Sequence, residues 1–273
     1  MATAVSGEQI REAIRTLGLA ELPVCLHSSL RSFGRVEDGA DTVVDAFLAE
    51  GCTLLVPTFS AAGFVIAPPE GMRPSRNGLD YQAPNDSAGR DRIFTPGSNE
   101  LSPSMGAIPA AVLARPGRAR GNHPLCSFAA LGTGAESLVG EQRPLDVYAP
   151  LRLLGARGGF VLLIGVGLER MTLIHLAEEK AGRTLFRRWA NGPDGRPMEV
   201  EVGSCSDGFG KLEPVMGPLV REARVGASRW RAFPARESAA AAAAAIRERP
   251  ELTHCRASDC ARCADAVAGG PTL

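Results

Sequence analysis

The sequence predicts an α/β fold, and two stretches predict it. Phe160 to Ile164 is an unbroken apolar run of strand length, closed by Gly165 and Gly167. After it Leu173, Leu176 and Ala177 recur at helical spacing until Gly182 stops the pattern. Residues 1–60 give the second signal, the order strand, loop, helix, strand. A strand, a glycine turn and a helix in succession place polar groups at the carboxyl end of a buried strand, where open α/β sheets keep their sites.

The elements follow in order. Ser6 to Leu17 carries Ile10, Ile14 and Leu17 on one stripe, an amphipathic helix. Pro23 to His27 is a strand, Ser28 to Gly34 the loop leaving it, Gly39 to Glu50 a helix and Cys52 to Pro57 a second buried strand. From Ala61 to Pro103 periodicity is lost among prolines and glycines, with Asp80, Tyr81, Asp86, Asp91 and Glu100 scattered through the stretch. A loop of that length inside a domain is a lid or binding loop, or else disordered; Tyr81 is its candidate for substrate contact.

Gly106 to Ala114 resumes a helix, Leu125 to Leu131 is a strand, and Ala135 to Val139 is a short helix. Pro150 opens another helix at its first turn. Leu185 to Ala190 and Met198 to Val202 are antiparallel strands around a turn-rich connector. Lys211 to Val220 is expected to be helical and Arg224 to Arg231 a strand. Arg236 to Arg249, with seven consecutive alanines, is a helix.

Composition narrows the function. The chain has 273 residues, enough for one α/β domain with insertions, and its 45% hydrophobic content supplies a large core. Lys plus Arg equals Asp plus Glu, 30 against 30, which argues against a nucleic-acid surface or an anionic membrane. No apolar run reaches spanning length and no secretory leader is apparent, so the expectation is a soluble cytoplasmic protein, monomer or homodimer. Seven cysteines, four of them scattered singly, fit reduced thiols rather than a disulfide frame.

Several residues can carry chemistry. His175 and Glu178 are three apart on the helix after the glycine turn and share a face, with Thr172 one turn earlier. A histidine and a carboxylate so placed can act as base and partner; the plainer account is a half-buried histidine satisfied by its neighbour. His27, Ser28 and Ser29 at a strand end offer hydroxyls and backbone N–H groups to a ligand's polar arm, or form an ordinary capped turn. The chain has neither a phosphate-loop lysine nor GxGxxG, which weakens a nucleotide reading.

His123, held extended by Pro124, lies three residues before Cys126, a weak candidate for a nucleophile pair. Asp146 before a helix start is either a loop aspartate or a grip for a substrate ammonium. Cys255, Cys260 and Cys263, with His254 or the distant Cys205 as fourth ligand, have the spacing of a structural zinc site; the alternative is a thiol-rich tail.

Together these segments resemble the aminoglycoside 3-N-acetyltransferase (antibiotic N-acetyltransferase) family. The resemblance rests on LHSSLRSFG at 26–34, GCTLLVPTF at 51–59, HPLCSFAALG at 123–132, APLRLL at 149–154 and LLIGVGLERMTLIHLAEE at 162–179. It implies a mixed central sheet flanked by helices, one acetyltransferase domain with 61–103 as an inserted loop and 254–263 as a Cys-rich tail. It implies acetyl transfer from acetyl-CoA to an amine, usually of an aminoglycoside, as in antibiotic resistance. It further implies that His27, Ser28, Ser29, Leu30, Phe33 and Gly34 help hold the coenzyme and that His175 with Glu178 belongs to the catalytic centre.

On that basis His175 is the expected general base, with His123 competing, Asp146 gripping the ammonium and Thr172 or backbone N–H groups steadying the oxyanion. Two features depart from the pattern. Ala149 stands where the family commonly has serine, and Arg73, Arg76, Arg90 and Arg92 in the inserted loop sit poorly with a polycationic acceptor. The rival readings are a zinc-dependent hydrolase using His123, Asp146, His175 and Glu178, and a non-catalytic zinc-tailed binding module.

Overall fold

The computed structural model describes residues 4–79, 89 and 91–272. Tyr81, Asp80, Asp86 and Arg90 of the inserted loop lie outside them. The strands are β1 Pro23–Ser28, β2 Thr53–Pro57, β3 Val65–Ile66, β4 Ala119–Arg120, β5 Phe128–Leu131, β6 Phe160–Ile164, β7 Phe186–Asn191, β8 Pro197–Val202, β9 Arg221–Val225 and β10 Ser228–Pro234. Seven form the central sheet in the order β4-β5-β2-β1-β6-β10-β9, and β3-β7-β8 form a small second sheet.

The central sheet is mixed, as expected. β1 pairs parallel with β2 on one side and β6 on the other, while β5 and β10 run antiparallel outside them. The chain therefore leaves β1 in one direction and later returns to its opposite flank. The carboxyl ends of β1, β2 and β6 diverge there into a crevice, the arrangement that makes a site in open sheets.

Alternation along these strands feeds two cores. Cys25, Leu55, Val161 and Leu163 face one layer, with the helices Ala149–Ala156, Leu173–Lys180 and Ala235–Glu248. Val24, Leu26, Leu54, Val56, Leu162 and Ile164 face the other, with Gly7–Thr16, Ala40–Ala49 and Ala107–Ala114. Ser6 caps the first helix, closing a reciprocal box with Gln9.

Three expectations are corrected. The strand expected from Leu125 begins only at Phe128, because the amides of Leu125 and Cys126 donate to the His123 ring instead of to a ladder. The helix expected over Lys211–Val220 is broken into short turns, Phe209–Leu212, Glu213–Met216 and Gly217–Leu219, where Pro214 and Gly217-Pro218 interrupt it. The strand expected over Arg224–Arg231 is a hairpin, since Gly226 adopts a φ of 57° and with Ala227 reverses the chain between β9 and β10. The inserted loop is largely irregular in its described part, apart from the turn Ala61–Phe64, β3 and Pro103–Met105. Among the described residues no helix is long and apolar enough to cross a membrane.

Candidate active site

The crevice opens into a cavity of about 1320 Å³. His27 to Ser32 from the end of β1, Pro57 and Phe59 from β2, Gly165 to Gly167 from β6, Thr172 and His175 all line it. The loop after β1 is pinned across the end of β6: the Ser29 amide donates to the Ile164 carbonyl at 2.9 Å, and Ser32 Oγ meets Ser228 Oγ at 2.7 Å. Gly165 allows this approach. Its φ is 64°, and a Cβ there would fall 2.1 Å from that of Ser32. Any larger residue would push the loop off the strand end.

His175 lies on the cavity wall with 8% of its surface exposed. Its Nδ1 is 2.8 Å from Glu178 Oε2, which directs the other ring nitrogen, Nε2, away from the carboxylate. Glu178 is itself held on both oxygens. Ser204 Oγ donates to Oε2 at 2.8 Å, and Arg183 donates to Oε1 at 2.5 Å while bonding Thr253 Oγ1 and the Pro250 carbonyl. Burial favours the neutral acid, yet His175, Arg183 and Ser204 outweigh it and keep Glu178 below the usual carboxylate range.

Aromatic rings fix the imidazole from two sides. Tyr148 stacks parallel to it at 6.1 Å and Phe209 meets it at 4.8 Å with a 65° tilt. Gly203 closes the remaining side, where a Cβ would come 2.5 Å from Tyr148 Oη and 2.7 Å from the imidazole carbons. Sequence reasoning did not single out Tyr148, Arg183, Gly203, Ser204 or Phe209. Two signals pointed toward some of them: Tyr148 is one of only two tyrosines, and Ser204 adjoins a cysteine already marked.

The other candidates are placed as follows. His27, Ser28, Ser29 and Leu30 line the cavity, whereas Phe33 is buried against Trp230 and Gly34 lies beyond the lining. Burial pushes His27 down to about 3, so it is neutral at physiological pH. His123 is wholly buried and is not in the cavity wall. Its Nδ1 accepts the Cys126 amide at 2.9 Å, its Nε2 makes no hydrogen bond, and burial lowers it to about 4.

Cys126 reaches the cavity, but burial raises its thiol to about 12 and leaves it protonated. Asp146 is half exposed and ion-paired with Arg152, away from the lining. The sulfurs of Cys205, Cys255, Cys260 and Cys263 all lie within 4.8 Å of one another. That cluster is, among the described residues, the one group able to hold a metal, so His123, Asp146, His175 and Glu178 do not converge as a zinc hydrolase requires.

The family model described as aminoglycoside 3-N-acetyltransferase matches residues 25–247, a span containing both halves of this crevice. The chain belongs to the aminoglycoside 3-N-acetyltransferase family. It is 34% identical over 187 residues to aminoglycoside N(3)-acetyltransferase IX of Micromonospora chalcea, covering 65% of this chain and 63% of that protein. The match thus spans less than two thirds of the length of that relative and of aminoglycoside N(3)-acetyltransferase VII of Streptomyces paromomycinus.

Among solved structures, the apoenzyme of aminoglycoside acetyltransferase AAC(3)-IVa superposes with a TM-score of 0.76 at 25% identity, covering 99% of both chains. The binary complex of AAC-IIIb with CoASH does so with a TM-score of 0.72 at 22% identity, over 90% of this chain and 98% of that one, which shows a shared fold. The family's matched span includes the strand, glycine turn and helix that carry His175.

Proposed function

We propose that this chain transfers an acetyl group from acetyl-CoA to a primary amine of an aminoglycoside or related natural product, with His175 as general base and no covalent enzyme intermediate. The observation that carries this is the placement of His175. It stands, tautomer fixed by Glu178, on the wall of a cavity that the loop 27–30 also lines. The fold neighbour with CoASH bound and the relatives named for aminoglycoside acetylation support the donor and the acceptor class.

The charges suit the donor. Among the described lining residues, Arg31, Arg170, Arg229 and Arg231 face one carboxylate, Glu169. Arg229 and Arg231 are in ion pairs with Glu222 and Glu213. Arg31 and Arg170 are exposed, in no ion pair among the described residues, and available to the phosphates of a coenzyme.

The chemistry follows from the geometry. An amine is mostly protonated at neutral pH and must shed a proton before its lone pair can attack the thioester carbon. Glu178 accepts from Nδ1–H, so Nε2 carries the lone pair that takes the proton, and the carboxylate supports the imidazolium that results. A C–N bond forms, the C–S bond breaks, and the thiolate leaves and is reprotonated. Thr172, which lines the cavity and makes no capping bond to its helix, donates its hydroxyl to the developing oxyanion in this reading.

We also read the four thiols as a closed, structural zinc site lying outside this chemistry. Measuring CoA thiol release with a panel of amines tests donor, reaction and acceptor together. His175→Ala should lower turnover roughly two to four orders of magnitude while acetyl-CoA still raises the melting temperature. Full turnover in that variant would remove His175 from the role.

A further inference from the structure

The four-cysteine cluster and the His175–Glu178 pair were separate features in the sequence, and the fold ties them together. Cys205, Cys255 and Cys263 are buried, all four cysteines are free thiols, and Cys205 Sγ also donates to Asp207 Oδ2 at 3.7 Å. Four sulfurs on a tetrahedral ion with bonds of about 2.3 Å lie about 3.8 Å apart, consistent with the observed limit of 4.8 Å. The donor set is that of zinc in a closed site, and the thiols come from two distant parts of the chain.

Each part ends on the catalytic pair. The segment after β8 carries three functions in three residues: Gly203 against the His175 ring, Ser204 donating to Glu178 Oε2, and Cys205 in the cluster. Phe209, four residues further, meets the imidazole edge. From the other side Thr253, two residues before Cys255, accepts from Arg183, which holds Glu178 Oε1. The two segments also press on each other. A Cβ on Gly208 would sit 2.3 Å from the Thr253 carbonyl oxygen. Each oxygen of Glu178 is therefore linked, through Ser204 on one side and through Arg183 and Thr253 on the other, to a segment that carries a cysteine of the cluster, and no disulfide joins the two segments.

We propose that metal bound by Cys205, Cys255, Cys260 and Cys263 positions the His175–Glu178 pair, by clamping the segments 203–205 and 253–255 that support both carboxylate oxygens. The inference rests on His175 as the base, with the metal as its distant brace. Ser204 is a positioning residue in this scheme. It touches neither the thioester nor the amine and acts by holding Glu178 where it fixes the imidazole tautomer.

The test uses the full chain and reads tautomer as well as turnover. Metal content is measured on purified protein, and the His175 ring nitrogens are followed by 15N NMR in histidine-labelled protein, assigned by difference with His175→Gln. Two variants are compared: Cys260→Ser, at the most exposed of the four thiols, and Ser204→Ala, which leaves every thiol in place.

The expected result is one zinc per chain, lost in Cys260→Ser. The Nδ1–H tautomer should give way to a mixture in both variants, and kcat should fall roughly 10–100-fold with KM for acetyl-CoA little changed. Zinc retained in Ser204→Ala with the tautomer still shifted would locate the effect in the brace. Loss of zinc with tautomer and kcat unchanged overturns the coupling and leaves the metal site standing. Absence of zinc, and no uptake when it is added, overturns the proposal and leaves acetyl transfer intact. If Cys260→Ser does not fold, the wild-type chain stripped of zinc by a chelator decides, and an unshifted tautomer there sinks the idea. Because the NMR readout needs no acceptor, failure to find turnover does not obscure it.

Discussion

Two interior histidines differ in what a general base requires. His175 and His123 are both buried, the first inside the helix Leu173–Lys180 and the second in the irregular segment between β4 and β5. His175 has a carboxylate on Nδ1, the Tyr148 ring stacked on it, the Phe209 ring against it edge-on and a cavity at its side. His123 has two backbone amides on Nδ1, nothing bonded to Nε2 and no access to the cavity. A backbone N–H bonded to a ring nitrogen requires that nitrogen's lone pair, so His123 must keep its proton on Nε2 and be neutral. The same residue type is thus the proposed proton acceptor in one place and a turn-former in the other. Access and a carboxylate partner separate them, and burial alone does not.

The largest effect expected is the difference between replacing each with glutamine. His175→Gln should lower kcat/KM by roughly two to four orders of magnitude, equivalent to about 3–5 kcal/mol of transition-state stabilisation. His123→Gln should leave kcat/KM within about threefold and instead cost roughly 1–3 kcal/mol of stability, through amides left without an acceptor. Steady-state kinetics beside urea unfolding separates the two, and a catalytic collapse in His123→Gln would reverse the assignment.

Acid gives the next effect, of roughly 3–5 kcal/mol for each group involved. Burial lowers His123 to about 4 and His27 to about 3, against an unfolded value of 6.5. Below the unfolded value the unfolded chain binds protons that the folded chain refuses. Their contribution is whole above about pH 6.5 and lost as pH falls toward 4 and then 3. The urea midpoint should therefore fall across that window, and in His123→Gln the fall should be shallower. Glu178, whose value is lowered, likewise stabilises above its unfolded value and loses this as pH falls through its folded one. An equal slope in His123→Gln would mean that position 123 is charged in the native protein.

The strand, glycine turn and helix that carry His175 were legible because an unbroken apolar run, two glycines and a 3.6-residue period are local signals. The His175–Glu178 contact was legible for the same reason, since residues three apart on a helix share a face. The four thiols were legible as residue types, with three of them in nine residues. What stayed hidden depends on chain segments far apart in sequence. Arg183 and Thr253, or Gly203 and Tyr148, meet only after the sheet has brought their segments together. The same blindness produced the single strand over Arg224–Arg231. A two-residue reversal at Gly226-Ala227 leaves almost no mark on hydrophobic periodicity.

Gly203 offers a sharper break in the comparison, because nothing of the kind packs against His123. A methyl group there meets Tyr148 Oη and the imidazole within 2.7 Å. Gly203→Ala should cost roughly 1–3 kcal/mol by overpacking and lower kcat by turning the ring. Adding Tyr148→Phe removes the nearest clashing atom and should restore part of both losses, a coupling that a double-mutant cycle reads directly. Additive losses would show that the methyl group is accommodated elsewhere.

The smallest effect is expected at Asp146, where the sequence suggested a grip on the substrate's ammonium. Glu178 and Asp146 are both carboxylates on an arginine, but Glu178 is 2% exposed and its pair with Arg183 is sealed, whereas Asp146 and Arg152 have side chains 40% and 36% exposed. Ions that water already solvates gain little from each other, about 0–1 kcal/mol. Arg152 also keeps Glu179 at 3.4 Å when Asp146 is neutralised, so no stranded charge remains. Asp146→Asn should therefore change stability by less than about 1 kcal/mol and kcat/KM by no more than about twofold, small on the scale on which a tenfold change is 1.4 kcal/mol. A loss of tenfold or more in KM for a polycationic amine, with a monoamine unaffected, would instead place an acceptor ammonium at this carboxylate and extend the site beyond the cavity wall.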